Sequence, residues 1–174
     1  GETAEMPGVY KAEDFDCAGF AVGVVDEKKT LGAHKVKPGD VVIGVPSSGF
    51  HSNGFSLLRK VFEKDLDQWR DKLMVPTALY GKLVKNLCKN VKGLKACANI
   101  TGGGLENIPR VLPKGTTIAI EPWFVPEPFK VVKERTGMSW DKMLVTLNCG
   151  LGFAIIVDPT DSVKAQKIVA KEMG

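Results

Sequence analysis

Two junctions of one kind constrain this sequence most. At each, a short apolar run ends in small, polar, flexible residues and a helical period begins. The first runs from Val41–Val45 through Pro46-Ser-Ser-Gly-Phe-His-Ser-Asn-Gly54 into Phe55, Leu58, Val61 and Phe62 at helical spacing. The second runs from Ala96–Ile100 through Thr101-Gly-Gly-Gly104 into a short helix around Ile108. Such junctions suit anions: the first N–H groups of a helix have no internal partners, and the helix dipole adds partial positive charge. Glycine lets backbone approach a phosphate closely, and hydroxyls add donors. The candidate contacts are Ser47, Ser48, Gly49, Ser52, Asn53 and Gly54 in the first loop, and Thr101, Gly102, Gly103 and Gly104 in the second. Neither loop is a Walker-type loop, since no Lys follows the glycines, and neither has the dinucleotide G-x-G-x-x-G spacing. A plain strand-to-helix turn that needs a cap and φ > 0 is the competing reading. Three consecutive glycines tilt the balance, because each costs conformational entropy that a simple turn does not require.

The rest of the chain alternates in the same way. Cys17–Val25, Leu94–Ile100, Thr116–Ile120 and Gly152–Val157 read as further strands, and Lys37-Pro38-Gly39-Asp40 as a turn. Ala78–Asn90, Glu127–Arg135 and Ser139–Leu147 read as helices, separated from the first by a polar, Trp-containing connection. Ser52 or Asn53 is expected to cap the helix at Phe55, and Asn107 the short helix with Pro109 in its first turn. Asp158 is expected to cap a last helix with Val163, Ile168 and Val169 on its apolar face. The expected class is therefore α/β (α+β), two-layered, with helices packed on a mixed β-sheet. Residues 1–16 read as an extended arm and 17–174 as one domain.

Composition excludes several classes. Apolar residues make up 44% and charged residues 25% of the 174, enough for a packed core and against disorder. The net charge of +4 is dispersed. The lysines of 82–95 alternate with Leu83, Val84, Leu87 and Val91, which describes the wet side of an amphipathic helix and not a nucleic-acid groove. No apolar run approaches the roughly 18 residues a membrane span needs. Cys17, Cys88, Cys97 and Cys149 form no C-x-x-C pair, which fits a reduced, cytoplasmic protein.

Single residues carry less. His51 sits among small polar residues beside a candidate anion site and is the candidate for phosphate contact or proton transfer, against the commoner structural role of a lone His. Cys149 reads as a small buried thiol, not a nucleophile. Glu2 and Glu5 are either Mg²⁺ or substrate ligands or two solvated acids on an arm. No metal site is assigned.

Taken together, six stretches resemble the aminoimidazole ribonucleotide synthetases, also called phosphoribosylformylglycinamidine cyclo-ligases. They are Gly1-Glu-Thr-Ala-Glu-Met-Pro-Gly8, Ala18-Gly-Phe-Ala-Val-Gly23, Gly39-Asp-Val-Val-Ile43, Ser47-Ser-Gly-Phe-His-Ser-Asn-Gly-Phe-Ser56, Ile100-Thr-Gly-Gly-Gly-Leu-Glu-Asn-Ile-Pro-Arg-Val-Leu-Pro113 and Asn148-Cys-Gly-Leu-Gly152. They keep the family's order and cover nearly the whole chain. The resemblance implies the C-terminal half of the enzyme, with the N-terminal ATP-facing motifs and a final strand after the last helix lying outside this sequence. It implies ATP and Mg²⁺ as cofactors, formylglycinamidine ribonucleotide as substrate, and homodimerisation through the N-terminal half. Fusion to other purine-synthesis domains is an open expectation, as is which loop takes ATP and which substrate. Glu2 and Asn148 are expected to line the cleft, and the isolated chain is expected to be inactive. The sequence departs from the family at Ala78 and Val145, where a basic residue is usual, and at Asn99, where His is usual. A catalytically degenerate ligand-binding or assembly domain is the alternative these departures raise, since losing a cation near phosphate weakens anion binding.

Overall fold

A computed structural model describes Glu13 and residues 19–173. The chain divides into two compact units, Gly1–Thr30 and Leu31–Gly174. In the first, the described residues 19–26 carry no regular secondary structure, and a single 3-10 turn, Glu27–Lys29, is capped by the Asp26 carboxylate, which accepts from Lys28 N–H at 3.0 Å. The strand expected over Cys17–Val25 is thus not formed in its described part. β-branched composition favours a strand only when a neighbouring strand satisfies its N–H and C=O groups, and the three described strands lie elsewhere.

The second unit is built on a three-stranded sheet. Its strands are β1 (Val41–Pro46), β2 (Leu94–Asn99) and β3 (Leu151–Val157), in the order β1-β3-β2. Both pairings are antiparallel, with Ile43 and Cys97 opposite Ile155 on either side. β3 is therefore central, and Gly152–Val157 are all buried, which explains its unbroken apolar run. Six α-helices are described: α1 (Phe55–Val61), α2 (Leu66–Leu73), α3 (Gly81–Asn90), α4 (Glu127–Thr136), α5 (Trp140–Thr146) and α6 (Ser162–Met173).

One sheet face, with Ile43, Val45, Phe153, Ile155 and Val157, packs on Leu83 and Leu87 of α3 and Ala165 and Val169 of α6. Ala98 and Ala154 pack on the other side with Ile100 and Ile108. A second apolar cluster joins α1, α2, α4 and α5 through Leu58, Phe62, Leu73, Phe129, Val132, Met143 and Leu147, with Phe50 of the first loop among them. Each such side chain, fully buried, contributes about 1.5–3 kcal/mol. Helices layered on a sheet is the expected architecture and the observed one. At the end of the sheet where β1 begins, Lys95 pairs with Asp40 and lies 3.5 Å from Asp158, tying all three strands together.

Several local expectations need correction. The polar segment after α1 is a helix, α2, because Trp69 and Leu73 reach the second cluster and only the outer side is polar. Thr116–Ile120 has no regular secondary structure and pairs with no described strand; Ile118 packs on the Ala98–Ile108 cluster instead. Val163 is 61% exposed, and α6 buries Ala165 and Val169. α1 has Gly54 at its N-cap with no side-chain cap bond, so neither Ser52 nor Asn53 caps it. Asn107 lies inside a 3-10 turn, Gly104–Asn107, and does not cap the next one, Pro109–Val111. Among the described residues no helix is long and apolar enough to cross a membrane.

Candidate functional site

The strand order dictates where the loops meet. β1 and β2 both run antiparallel to the β3 between them, so their C-terminal ends and the start of β3 share one edge of the sheet. That edge carries three connections: residues 47–54 after β1, residues 100–104 after β2, and the turn 148–150 before β3. Ser47 N–H donates to the Gly150 carbonyl at 2.9 Å and Ile100 N–H to the Gly152 carbonyl at 3.0 Å, so the ladder continues into both loops. The two loops approach each other directly: a Cβ on Gly102 would lie 3.8 Å from Asn53 Oδ1.

Asn148 is buried and braces the first loop. Its Oδ1 accepts from Gly150 N–H at 2.9 Å and from Ser47 Oγ at 3.1 Å, while its Nδ2 donates to the Gly49 carbonyl at 2.9 Å. Ser48 Oγ donates to the Pro76 carbonyl at 2.6 Å, and the Ser52 and Thr77 hydroxyls lie 3.2 Å apart. The first loop is thus tied to the 76–78 segment as well as to the turn before β3.

His51 completes the brace. It is only 4% exposed and sits at φ 57°, a left-handed conformation uncommon outside glycine. Its Nε2 accepts from Ser48 N–H at 3.2 Å and from Ala78 N–H at 3.4 Å. A nitrogen that accepts carries no proton, so the ring is neutral with its hydrogen on Nδ1. Burial lowers its pKa from the ordinary value, in the same direction. Tyr80 closes the wall behind it: its hydroxyl donates to the Pro46 carbonyl at 2.8 Å and its ring stacks on Phe153 at 4.9 Å. Gly152 is required there, since a Cβ would fall 1.9 Å from the Tyr80 hydroxyl and 2.6 Å from His51 Cε1.

The second loop is shaped by a residue whose role the sequence did not reveal. Asn107 is buried, and its Nδ2 donates to the carbonyls of Gly104 at 2.7 Å, Gly102 at 3.3 Å and Thr101 at 3.5 Å. Its Oδ1 accepts from Thr101 Oγ1 at 3.3 Å. Carbonyls drawn to one amide leave the adjoining N–H groups to other acceptors, and the N–H groups of Gly102 and Gly103 have no backbone or side-chain acceptor among the described residues. Gly103 at φ 97° and Gly104 at φ 54° supply the curvature. Gly104 also packs against the end of α5, where a Cβ would lie 2.0 Å from the Leu144 carbonyl oxygen.

The helix-dipole part of the anion argument weakens here. α1 has seven residues and the second loop opens into a four-residue 3-10 turn, so backbone N–H groups are the main donors, with the Ser52 hydroxyl. Cys149 is buried at φ 48° and burial pushes its thiol up to about 12, consistent with a packing role. Glu2 and Glu5 lie outside the described residues. Among the described residues, no group of three or more His, Cys, Asp or Glu is arranged to hold a metal ion. A groove of about 710 Å³ lies over the other sheet face, between β1 and 116–121; none of the candidate contacts lines it. The converging loops are the better candidate for an anion, because they bring together glycine backbone N–H groups without acceptors among the described residues, and the groove does not.

Comparison with known proteins shows the family. The family model described as AIR synthase related protein, C-terminal domain, matches residues 37–173, which include all three connections. A phosphoribosylformylglycinamidine cyclo-ligase of Lawsonia intracellularis (strain PHE/MN1-00) is 39% identical across 99% of this chain and 53% of its own length. One of Prochlorococcus marinus (strain MIT 9211) is 45% identical across 100% of this chain and 54% of its own. The chain spans about half the length of these curated relatives, and it belongs to the AIR synthase related family, whose C-terminal domain it carries.

Proposed function

We propose that this chain supplies the C-terminal half of an ATP-dependent cyclo-ligase that converts formylglycinamidine ribonucleotide to aminoimidazole ribonucleotide, with ADP and phosphate as the other products. The observation that carries the reading is the convergence of two donor-rich loops on one sheet edge, in a chain whose relatives are named for this reaction. In the reaction, the formyl oxygen of the substrate takes the γ-phosphoryl group of ATP. A ring-forming nitrogen then attacks the formyl carbon and phosphate leaves. Such chemistry needs positioning and charge stabilisation more than a protein nucleophile. The loops fit that need. The Ser47, Ser48 and Thr101 hydroxyls are spent on shaping the loops. The Ser52 hydroxyl, the Asn53 amide and the backbone N–H groups of Gly49, Gly54, Gly102 and Gly103 have no fixed acceptor among the described residues, and Cys149 is protonated and buried.

His51 and Asn148 act in this reading as positioning residues: both are buried, and both hold the first loop by hydrogen bonds to its backbone. Mg²⁺ accompanies ATP and favours carboxylates. Residues 47–54, 101–104 and 148–150 contain none, so its protein ligands come from elsewhere in the polypeptide. Dimerisation and a cytoplasmic location are carried over from the family as part of the same proposal.

The test is ADP release by the full-length protein in the presence of ATP and Mg²⁺. Release that depends on formylglycinamidine ribonucleotide is expected from the full-length protein and none from residues 1–174 alone. Substrate-independent release, or none, overturns the reading. A ligand-binding domain without turnover is the second reading, favoured by Asn99 and Val145, whose exposed side chains stand where the family carries His and Arg.

A further inference from the structure

We propose that Arg110 binds the phosphate group held at the Thr101–Gly104 loop; this rests on the cyclo-ligase reading. Two anion-ready loops without a cation are incomplete, because a phosphate dianion gains most from charge-assisted hydrogen bonds. The family's usual cation or imidazole is absent at Ala78, Asn99 and Val145. Arg110, within the stretch that resembles the family, stands beside the loop where a cation is needed. It follows the loop by one 3-10 turn, and a Cβ on Gly103 would lie 3.7 Å from its Nη2 and 3.7 Å from Asn107 Nδ2. The guanidinium therefore shares the Gly103 side of the loop with the amide that shapes it.

Arg110 is also available. It is exposed, and it makes no ion pair or hydrogen bond with any other described residue. Glu106, four residues earlier in the preceding 3-10 turn, is exposed and does not pair with it. Two other arginines of the domain are engaged, Arg135 in a two-pronged pair with Asp65 at 2.7 and 2.6 Å and Arg70 at 3.4 Å from Asp67, while Arg59 on α1 is, like Arg110, exposed and unpaired among the described residues. An arginine kept beside a glycine loop without a protein partner, next to N–H groups without acceptors, fits a phosphomonoester or the terminal phosphate of a nucleotide. A planar guanidinium delivers two parallel N–H donors to such a group.

The test uses the full-length protein and calorimetric binding of ATP (with Mg²⁺) and of formylglycinamidine ribonucleotide to wild type, Arg110→Ala and Arg110→Lys. Arg110→Ala is expected to weaken one ligand about tenfold or more and leave the other within about twofold, with Arg110→Lys in between. Melting temperature is expected to be unchanged, since the side chain is exposed and unpaired. Both ligands binding Arg110→Ala within twofold of wild type overturns the proposal, as does a loss of binding matched by a fall in melting temperature. Wild-type protein that binds neither ligand overturns the cyclo-ligase reading and this proposal together, so the two failures are distinct.

Discussion

At the scale of the residue, the site is governed by positions where nothing else fits. Gly104 combines φ 54° with a Cβ direction that meets the Leu144 carbonyl at 2.0 Å. Gly104→Ala adds the left-handed penalty of about 1–2 kcal/mol to a backbone collision that only a shift of α5 relieves. The expected loss is about 4 kcal/mol or more, measured by urea unfolding. Gly102→Ala, with its Cβ in open contact 3.8 Å from Asn53 Oδ1, serves as the control and is expected to cost under about 1 kcal/mol. Equal losses for the two would contradict the packing argument. The glycines themselves were legible in the sequence, and so was their strain. Their division of labour was not, because it depends on α5, a helix 40 residues further on. Asn107 was visible only as a polar residue near a proline and so read as a cap. Its actual work, gathering three carbonyls, follows from the loop folding back over it.

The same limit holds among elements. β1, β2 and β3 were readable because each is a short apolar run ending in turn residues. α2 was missed because its one buried residue, Leu73, leaves a period too thin to see. Cys17–Val25 and Thr116–Ile120 looked like strands by composition, yet pairing is a property of the neighbour and not of the segment. The bracing of the first loop by His51 is likewise an arrangement between elements, joining it to the segment before α3, and it has a measurable pH signature. Burial lowers the His51 pKa below its ordinary value of about 6.5, so the unfolded chain binds the proton more tightly than the folded one. Stability from this group is fully present above the unfolded pKa, and is lost as pH falls from there through the depressed folded value. Protonation of Nε2 also removes the acceptor that holds Ser48 and Ala78 N–H. Unfolding free energy is expected to decline from pH 7.5 to pH 5 in the wild type and to decline less in His51→Gln. Parallel profiles would remove the clip from the account.

For the whole molecule, the question is whether the edge that gathers these loops still carries enough charge to work. The scaffold is intact: a central strand buried on both faces, an ion pair at its far end, and loops tied at its near end by Asn148, His51 and Asn107. Two of the positions where the resemblance leads to the expectation of a different polar side chain are exposed. Asn99 is the last residue of β2, immediately ahead of the glycine loop, and its side chain is exposed. Val145 is 41% exposed on α5, one residue beyond the Leu144 carbonyl against which Gly104 packs. Neither position is buried, so restoring a polar side chain costs the fold little. The double variant Asn99→His with Val145→Arg, made in the full-length protein, is therefore expected to keep its melting temperature. If the degenerate reading is correct, it raises ADP release from near nothing; if the enzyme already works with Arg110 as its cation, turnover changes by less than about threefold. Initial-rate measurements at saturating substrate separate the two. A variant as inactive as an inactive wild type would count against the loss of polar groups at Asn99 and Val145 as the cause, and would leave Ala78 as the remaining departure to restore.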